Sequence, residues 1–486
     1  MATALAGVGP EEFREAAHRL VDWVADYRAT VASLPVRSRV EPGEVAGALP
    51  RSAPEAPETL SALIEELDRV IVPGLTHAQH PRNFAWFPAN AALASVLGDI
   101  LAAGVGVLGI SWQSSPALTE LEQVVCDWAR QLCGLSDVWH GTISDGASTA
   151  CLVALLVARE RAAGTAGSQR EAGLQACPAP LVVYTSPEAH SSVAKAALLA
   201  GFGAANLRSV PILRPSRAMD PAALEEMMAE DAGAGRQPAA IVATAGTTAT
   251  TAFDPVDEIC AVANRYGAWV HVDAAMAGSA LLLEECRGLF TGIEDAASIS
   301  WNPHKWLGSV LETSLFYVKD PAALVSVMAT DPSYLRSSRD GAVVQYRDWG
   351  LPLGRRFRAL RLWALLRLEG AQAIRARLRR DLANAARLAR LVEEAPGWRL
   401  VAPVPLQTLC VQHVPGGLAG EQLDRHTLAW CEAVNSTGEA HLTPAQLDGR
   451  WVVRVSVGSE TTEWPDIEAL WALMQAAARK TAAARP

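Results

Sequence analysis

The chain lacks the features that would place it in a membrane, on a nucleic acid or outside the cell. Half of its 486 residues are apolar, yet no uninterrupted apolar run approaches the ~20 residues a membrane-spanning helix needs. The first residues, Met-Ala-Thr-Ala-Leu-Ala-Gly, carry neither a basic leader nor an apolar stretch long enough for a secretory signal. Eight cysteines are scattered without a CxxC pair. That usage predicts no disulfide frame and no metal site, but reduced core thiols in a cytoplasmic protein. Long basic runs are missing and the formal net charge is −10, which argues against nucleic acid and anionic membranes as partners. There is no internal repeat, and no low-complexity tract beyond an alanine-rich tail.

What the chain does have is length for two or three domains and clear periodicity. Over residues 10–33, Phe13, Ala17, Leu20, Val24, Tyr27 and Val31 recur at alternating steps of four and three, which predicts an amphipathic helix. The plain expectation packs its stripe on the chain's own core. A proline-rich linker (36–57) and a second helix (59–71) follow, the latter stopped by Pro73-Gly74. Ser115-Pro116 starts another helix that runs through Leu132. Short apolar strands over 180–185, 239–245, 268–273, 298–301 and 314–319 then alternate with helices over 191–201, 221–231 and 255–266. This alternation predicts an α/β fold with a mostly parallel sheet, whose ligands gather at the strands' carboxyl ends. Residues 371–395 read as an arginine-rich helix with solvated charges. Strands over 398–401, 406–413 and 451–457 and a helix over 464–480 read as a small α+β domain.

Chemistry concentrates at those strand ends. Asn302-Pro303 stops the strand over 298–301 and presents His304 and Lys305, while the strand over 268–273 ends in Asp273. An amine that condenses with an aldehyde and a carboxylate that keeps a pyridine nitrogen protonated are the two groups a pyridoxal 5'-phosphate (PLP) enzyme requires. Glu188-Ala-His-Ser-Ser follows the strand over 180–185, and Gly246-Thr-Thr-Ala follows that over 239–245. Small residues from Gly141 to Thr149 lead into a helix over 150–161, where backbone N–H groups and the helix dipole favour an anion. Residues 329–342 are polar, with Pro and Gly, and read as a surface loop around Tyr334.

Asn-Pro-His-Lys-Trp, together with His-Pro-Arg-Asn-Phe-Ala-Trp-Phe-Pro, Ala-His-Ser-Ser, Asp-Pro-Ser-Tyr-Leu and Leu-Gly-Arg-Arg-Phe-Arg, resembles the group II amino-acid decarboxylases, the aromatic L-amino-acid decarboxylase family. The resemblance runs over about residues 10–480. It implies the fold type I architecture of PLP-dependent transferases, with a seven-stranded sheet. It also implies a homodimer with active sites at the subunit interface, the N-terminal segment lying across the partner. The implied division is 1–88 (helical dimerisation segment), 89–362 (large PLP-binding domain) and 363–486 (small domain). Carried over residue by residue, Lys305 holds the cofactor, Asp273 faces its ring nitrogen and His190 stacks on its ring. Ala147 and Ser148 form the phosphate cup, and Ala275 and His304 line the site. Thr248 or Thr247 contacts the ring or the substrate carboxylate, and Tyr334 returns a proton to Cα. Asp145 departs from the usual Ser or Gly of the cup, so no direct phosphate contact is expected from it. Glu312-Thr-Ser replaces the family's Asp-Cys-Ser.

The implied activity is decarboxylation of a small-molecule L-amino acid to the amine and CO2. Trp86, Phe87, Pro88, Ala89, Leu108, Ile110 and Gly354 are the implied substrate pocket. Ala89 stands where catechol-recognising members carry threonine, Ile110 where an aromatic residue is common, and Trp86 replaces a tyrosine. Loss of a hydroxyl partner weakens selection for a ring hydroxyl, so tryptophan or phenylalanine is expected before dopa. The alternatives are an aldehyde synthase of the same fold and a decarboxylase of a non-aromatic amino acid. In the family the aldehyde outcome tracks with phenylalanine at the loop tyrosine or asparagine at the stacking histidine, and this chain has neither. An aminotransferase and a cofactor-free scaffold are weaker rivals, the latter opposed by Lys305, Asp273 and His190 together.

Overall fold

In the computed structural model, which describes residues 8–164, 172–330, 333–336, 339 and 341–483, the alternating segments form one sheet covered by helices. Its strands are β1 (His140–Ser144), β2 (Leu181–Thr185), β3 (Leu207–Ser209), β4 (Gln237–Thr244), β5 (Trp269–Asp273), β6 (Ser298–Trp301) and β7 (Ser314–Val318). They lie in the order β1-β7-β6-β5-β4-β2-β3. From β3 to β6 neighbouring strands are parallel; β7 pairs antiparallel with both β6 and β1, so it alone runs against the other six. Every residue of β2, β5, β6 and β7 is buried, including the polar Thr185, His271, Asp273, Ser298, Ser300 and Ser314, as in a sheet covered on both faces. Successive side chains still separate by face. Val182, Tyr184, Ile241 and Val270 enter one core, and Val183, Val242 and Trp269 the other. The helices Ser191–Leu199, Pro221–Gly233 and Val256–Tyr266 connect the parallel strands, so the carboxyl ends of β2, β4, β5 and β6 share one edge.

The second sheet, β8 (Trp398–Leu400), β9 (Thr408–His413), β10 (Thr443–Leu447) and β11 (Arg450–Ser456), is antiparallel in the order β10-β11-β9-β8. The helices Gly370–Glu394, Gly420–Thr437 and Trp464–Ala483 pack on it around Trp398, Trp430 and Trp471, whose rings meet edge to face. Phe84 is fully buried in this second core. Its N–H donates to His441 O and its carbonyl accepts from Ser456 N, which fixes the segment 80–90 against the small sheet.

The structure departs from the sequence reading in several places. Residues 140–144, most of them in the small-residue stretch that leads into the helix, form the edge strand β1. Gly141 is needed there, because a Cβ would lie 2.7 Å from the Tyr317 ring and 2.8 Å from Cys126. Further elements were not expected: β3; β10, where Pro444 hides an edge strand; and the helices Glu44–Ala48, Pro321–Met328 and Gly420–Thr437. The helix Pro10–Thr30 has no buried residue and Phe13 is 61% exposed, so its stripe does not pack on the chain's own core. It is tied down by side-chain bonds instead: Arg19 Nη2 to Ser61 Oγ (3.0 Å), Trp23 Nε1 to Asp68 Oδ1 (2.9 Å), Tyr27 Oη to His77 Nδ1 (2.7 Å) and Arg28 Nη1 to Ala91 O (2.7 Å). The arginines of the helix Gly370–Glu394 are engaged, not merely solvated: Arg375 donates to Leu282 O, Arg377 to Leu307 O, and Arg380 pairs with Asp381 and Glu463. Among the described residues no helix is long and apolar enough to cross a membrane. All eight cysteines are free, and all but the half-buried Cys177 are buried.

Candidate active site

The carboxyl ends of β2, β4, β5 and β6 and the amino end of the helix Ala147–Ala163 enclose a cavity of about 260 Å³. Its floor is set by register. Thr244 at the end of β4 pairs with Asp273 at the end of β5, and Asp273 pairs with Ser300 of β6. Asp273 is buried and Oδ1 accepts the N–H of Ala275 (3.0 Å), which fixes the carboxylate's rotation. Asn302 then turns the chain. Its N–H donates to Ala275 O, its carbonyl accepts from Lys305 N, and its side-chain Oδ1 accepts from Ala147 N at 3.1 Å. One asparagine thus joins the aspartate turn, the lysine turn and the helix that opens the cavity.

Lys305 lies within 5.4 Å of the centre of the Phe87 ring, and the Arg454 guanidinium is 4.9 Å from the same ring. Burial pushes the Lys305 amine below its ordinary pKa; Asp273 opposes this and Arg454 adds to it. Burial also holds His304 down to about 4, with Lys305 a second cause, so the imidazole is neutral at pH 7. Its Nδ1 accepts from Thr313 N (3.1 Å), which leaves the ring proton on Nε2. His190 caps its own helix: Nδ1 accepts from Ser192 N (3.1 Å) and meets Ser192 Oγ at 2.8 Å. The ring is therefore held from one side and exposed on the other.

The helix Ala147–Ala163 starts at Gly146 without a side-chain cap. Ala147 N is taken by Asn302 and Ala150 N by Gly146 O, while Ser148 and Thr149 keep the unpaired N–H groups of a helix start. That is an anion site a phosphate fits, facing a buried lysine and a fixed carboxylate. The hydroxyl of Thr244 is buried without a partner on the cavity wall, a further polar atom that a bound polar ring would satisfy. The donor set fits pyridoxal phosphate.

Lys305, Asp273, His190, Ala147, Ser148, Thr248, Ala275 and His304 all line this one cavity, as does Phe87. Thr247 does not: it is buried in the turn, bonded to Thr250 Oγ1 and Ala252 N. Trp86, Pro88, Ala89, Leu108, Ile110 and Gly354 lie off the cavity in this chain. Trp86 takes a left-handed backbone (φ 54°) and stands edge-on to His441, and the Ala89 carbonyl accepts from Gln79. Leu108 is 57% exposed and Gly354 is exposed. Tyr334 sits in the short turn Ser333–Leu335, and its side chain lies outside the described residues. Sequence reasoning missed Asn302, Thr244 and Arg454. The last had a signal, a lone arginine inside the apolar run of β11. Arg355, the first arginine of Leu-Gly-Arg-Arg-Phe-Arg, is buried; it pairs with Glu122 (2.6 Å) and also donates to Ile143 O of β1 (2.9 Å).

Residues 42–413 match the family model described as the pyridoxal-dependent decarboxylase conserved domain. Phenylacetaldehyde synthase of Arabidopsis thaliana is 37% identical over 474 residues, covering 96% of this chain and 95% of that protein. Tryptophan decarboxylase 2 of Oryza sativa subsp. japonica is 37% identical over 479 residues, covering 97% and 95%. The crystal structure of Oryza sativa TDC with PLP and tryptamine matches with a TM-score of 0.94 at 34% identity, over 98% of this chain and 99% of that one.

Proposed function

Because the chain belongs to the pyridoxal-dependent decarboxylase family, we propose that it converts an aromatic L-amino acid, tryptophan or phenylalanine before dopa, to the amine and CO2. It is a PLP-dependent amino-acid decarboxylase of fold type I. The observation that carries the site assignment is the convergence of Lys305, Asp273 and His190 on one cavity.

When bound, pyridoxal phosphate supplies the sink for the electron pair of the breaking Cα–carboxylate bond. Every other part falls to the chain. Lys305 would hold the cofactor's aldehyde carbon through Nζ, and the lowered proton affinity of its buried amine keeps it nucleophilic. Asp273 keeps a proton on the ring nitrogen by charge pairing. Ala147 and Ser148 would hold the phosphate end at the helix start, and His304, Thr248 and Ala275 would line the rest of the cofactor's site. His190, steadied by Ser192, would lie against the cofactor ring and orient the substrate carboxylate. Tyr334 returns a proton to Cα, a step typically worth ~10²–10⁴-fold. Ala89 offers no hydroxyl, which supports preference for an unhydroxylated ring.

We further place the enzyme in the cytoplasm as a homodimer, with domains over 1–88, 89–362 and 363–486. The dimer reading is supported by apolar side chains left uncovered: Leu93, Leu97, Ile100 and Leu101 on the helix Leu93–Gly104 are each 45% exposed or more. It also gives Leu108, Ile110 and Gly354 a use, as pocket residues supplied across the interface.

The relatives include both decarboxylases and aldehyde synthases, so oxidative deamination after CO2 loss is the second reading. PLP-loaded protein incubated with L-Trp, Phe, Tyr, dopa, Glu, Val and Met, with products identified by mass spectrometry, decides between them. Amine from one or two aromatic members is expected. Aldehyde with peroxide overturns the role of Tyr334, and amine only from an aliphatic or acidic member overturns the pocket reading.

A further inference from the structure

Arg217 is 5% exposed and has a left-handed backbone (φ 61°), a conformation costly for a residue with a side chain. Its guanidinium reaches in two directions. Nη2 donates to Glu188 Oε1 at 2.5 Å, and Nη1 donates to Asp448 Oδ2 at 2.9 Å, with Nη2 also 3.3 Å from Asp448 Oδ1. Glu188 lies in the turn after β2, two residues before His190. Asp448 lies in the β10–β11 turn of the small sheet, also with a left-handed backbone (φ 52°), and takes a second arginine, Arg214, at 2.7 Å. Two strained residues on separate elements are thus held by one fork of ion pairs; its Arg217–Glu188 limb is buried, where such pairs are screened least, while the Asp448 side chain is 38% exposed.

The segment that carries Arg217 is tied to the cavity at a second point. Leu213 N donates to Ala218 O and Arg217 N donates to Leu213 O across the loop, and Met219 N donates to Asp254 Oδ1 at 2.7 Å. The other oxygen of Asp254 accepts the N–H of Thr244, on the cavity wall beside Asp273, also at 2.7 Å. The small sheet is therefore connected through Asp448 and Arg217 to the His190 turn, and through the same loop and Asp254 to the end of β4.

We propose that Glu188, Arg217 and Asp448 form an electrostatic clasp by which the small domain sets the position of the His190 turn, making all three positioning residues for the reaction. The proposal rests on the reading that His190 stacks on the cofactor and orients the substrate carboxylate. Ser192 fixes the ring's rotation, and the clasp fixes where the turn carrying that ring sits. Neutralising either carboxylate releases the turn without removing a cavity residue.

The test uses the PLP-loaded full chain with Glu188→Gln and Asp448→Asn, singly and combined. The readouts are the visible circular dichroism of bound cofactor, kcat and KM with the aromatic amino acid the wild type uses, and Tm. Each single variant is expected to keep stoichiometric cofactor, change the visible dichroism in the same direction and lower kcat/KM about tenfold, the scale of a small misplacement. The double variant is expected to be no worse than the worse single, because both carboxylates act through Arg217. Wild-type dichroism and kcat/KM in Asp448→Asn, whose side chain is the more exposed of the two, overturn the clasp whatever Glu188→Gln does. So does additivity of the two losses. The dichroism arm needs only bound cofactor. If the wild type makes no amine from any aromatic amino acid, the substrate reading fails while the clasp is still decided.

Discussion

An amine in a desolvated cavity, with one carboxylate favouring its charge and one guanidinium opposing it, is less basic than a surface lysine, and Lys305 is in that position. Lys305→Ala should abolish turnover, and borohydride reduction should attach cofactor to the wild type and not to the variant. Labelling of the variant to the wild-type level would move the attachment point elsewhere. Asp145 gives a prediction of the opposite sign. Its side chain lines the cavity next to Ala147 and Ser148, so a carboxylate sits near the helix start that would receive a dianion. Asp145→Asn should tighten PLP binding about threefold, the effect of removing one exposed like charge; unchanged or weaker affinity would show that the carboxylate is turned away. Much of this site was legible at the residue scale, since Lys305, Asp273 and His190 each follow a recognisable strand. Thr244 and Asn302 were not, because their importance lies in the register with Asp273 and in a side-chain bond to Ala147. Neither relation has a trace in local spacing.

At the scale of elements, the fully buried strands were the readable ones, and two of the missed strands share a cause. In β1 and β10, Gly141 and Pro444 imitate loop composition; Gly141 is required by the Tyr317 ring and Cys126 packed against it, and Pro444 is tolerated because β10 is at a sheet edge. The helix Gly370–Glu394 shows what composition hides. Its Asp381 is buried and accepts from the indole of Trp306, the neighbour of Lys305, at 2.9 Å. Burial raises the Asp381 carboxyl to about 6 against the pull of Arg380. A carboxyl with a folded pKa above its unfolded value takes up a proton on folding. Its contribution is therefore full below about pH 4 and is lost as pH rises through about 6. Asp381→Asn keeps an acceptor for Trp306 and carries no charge at any pH. Relative to wild type, the variant should gain stability between pH 4 and pH 7, by up to about 3 kcal/mol, measured by urea unfolding at both ends. A pH-independent difference would mean that Asp381 does not titrate in that window.

The whole molecule poses a different problem, because its cavity and its uncovered surface are continuous in sequence. The residues after Phe87 run from the cavity wall to the helix Leu93–Gly104, one face of which is pressed on the helix Ala359–Leu368. A Cβ at Gly98 would lie 2.3 Å from Leu360 O. The opposite face carries Leu93, Leu97, Ile100 and Leu101 into solvent, and the helix Pro10–Thr30 adds Phe13, Leu20 and Val21. Apolar area of this kind is ordinarily covered, and a second copy of the chain would cover it while bringing Leu108 and Ile110 to a neighbouring cavity. Wild-type protein should therefore sediment at twice the 51.5 kDa chain mass. Leu97→Asp with Ile100→Asp should shift it to the single-chain mass, with far-ultraviolet dichroism retained because both side chains are about half exposed in the isolated chain. Turnover should fall at least tenfold on dissociation, since a pocket missing one wall orients its substrate poorly. A wild type that sediments as a single chain and is fully active would leave Leu108, Ile110 and Gly354 without a part in the pocket. A double variant that remains a dimer would place the subunit contact on another face.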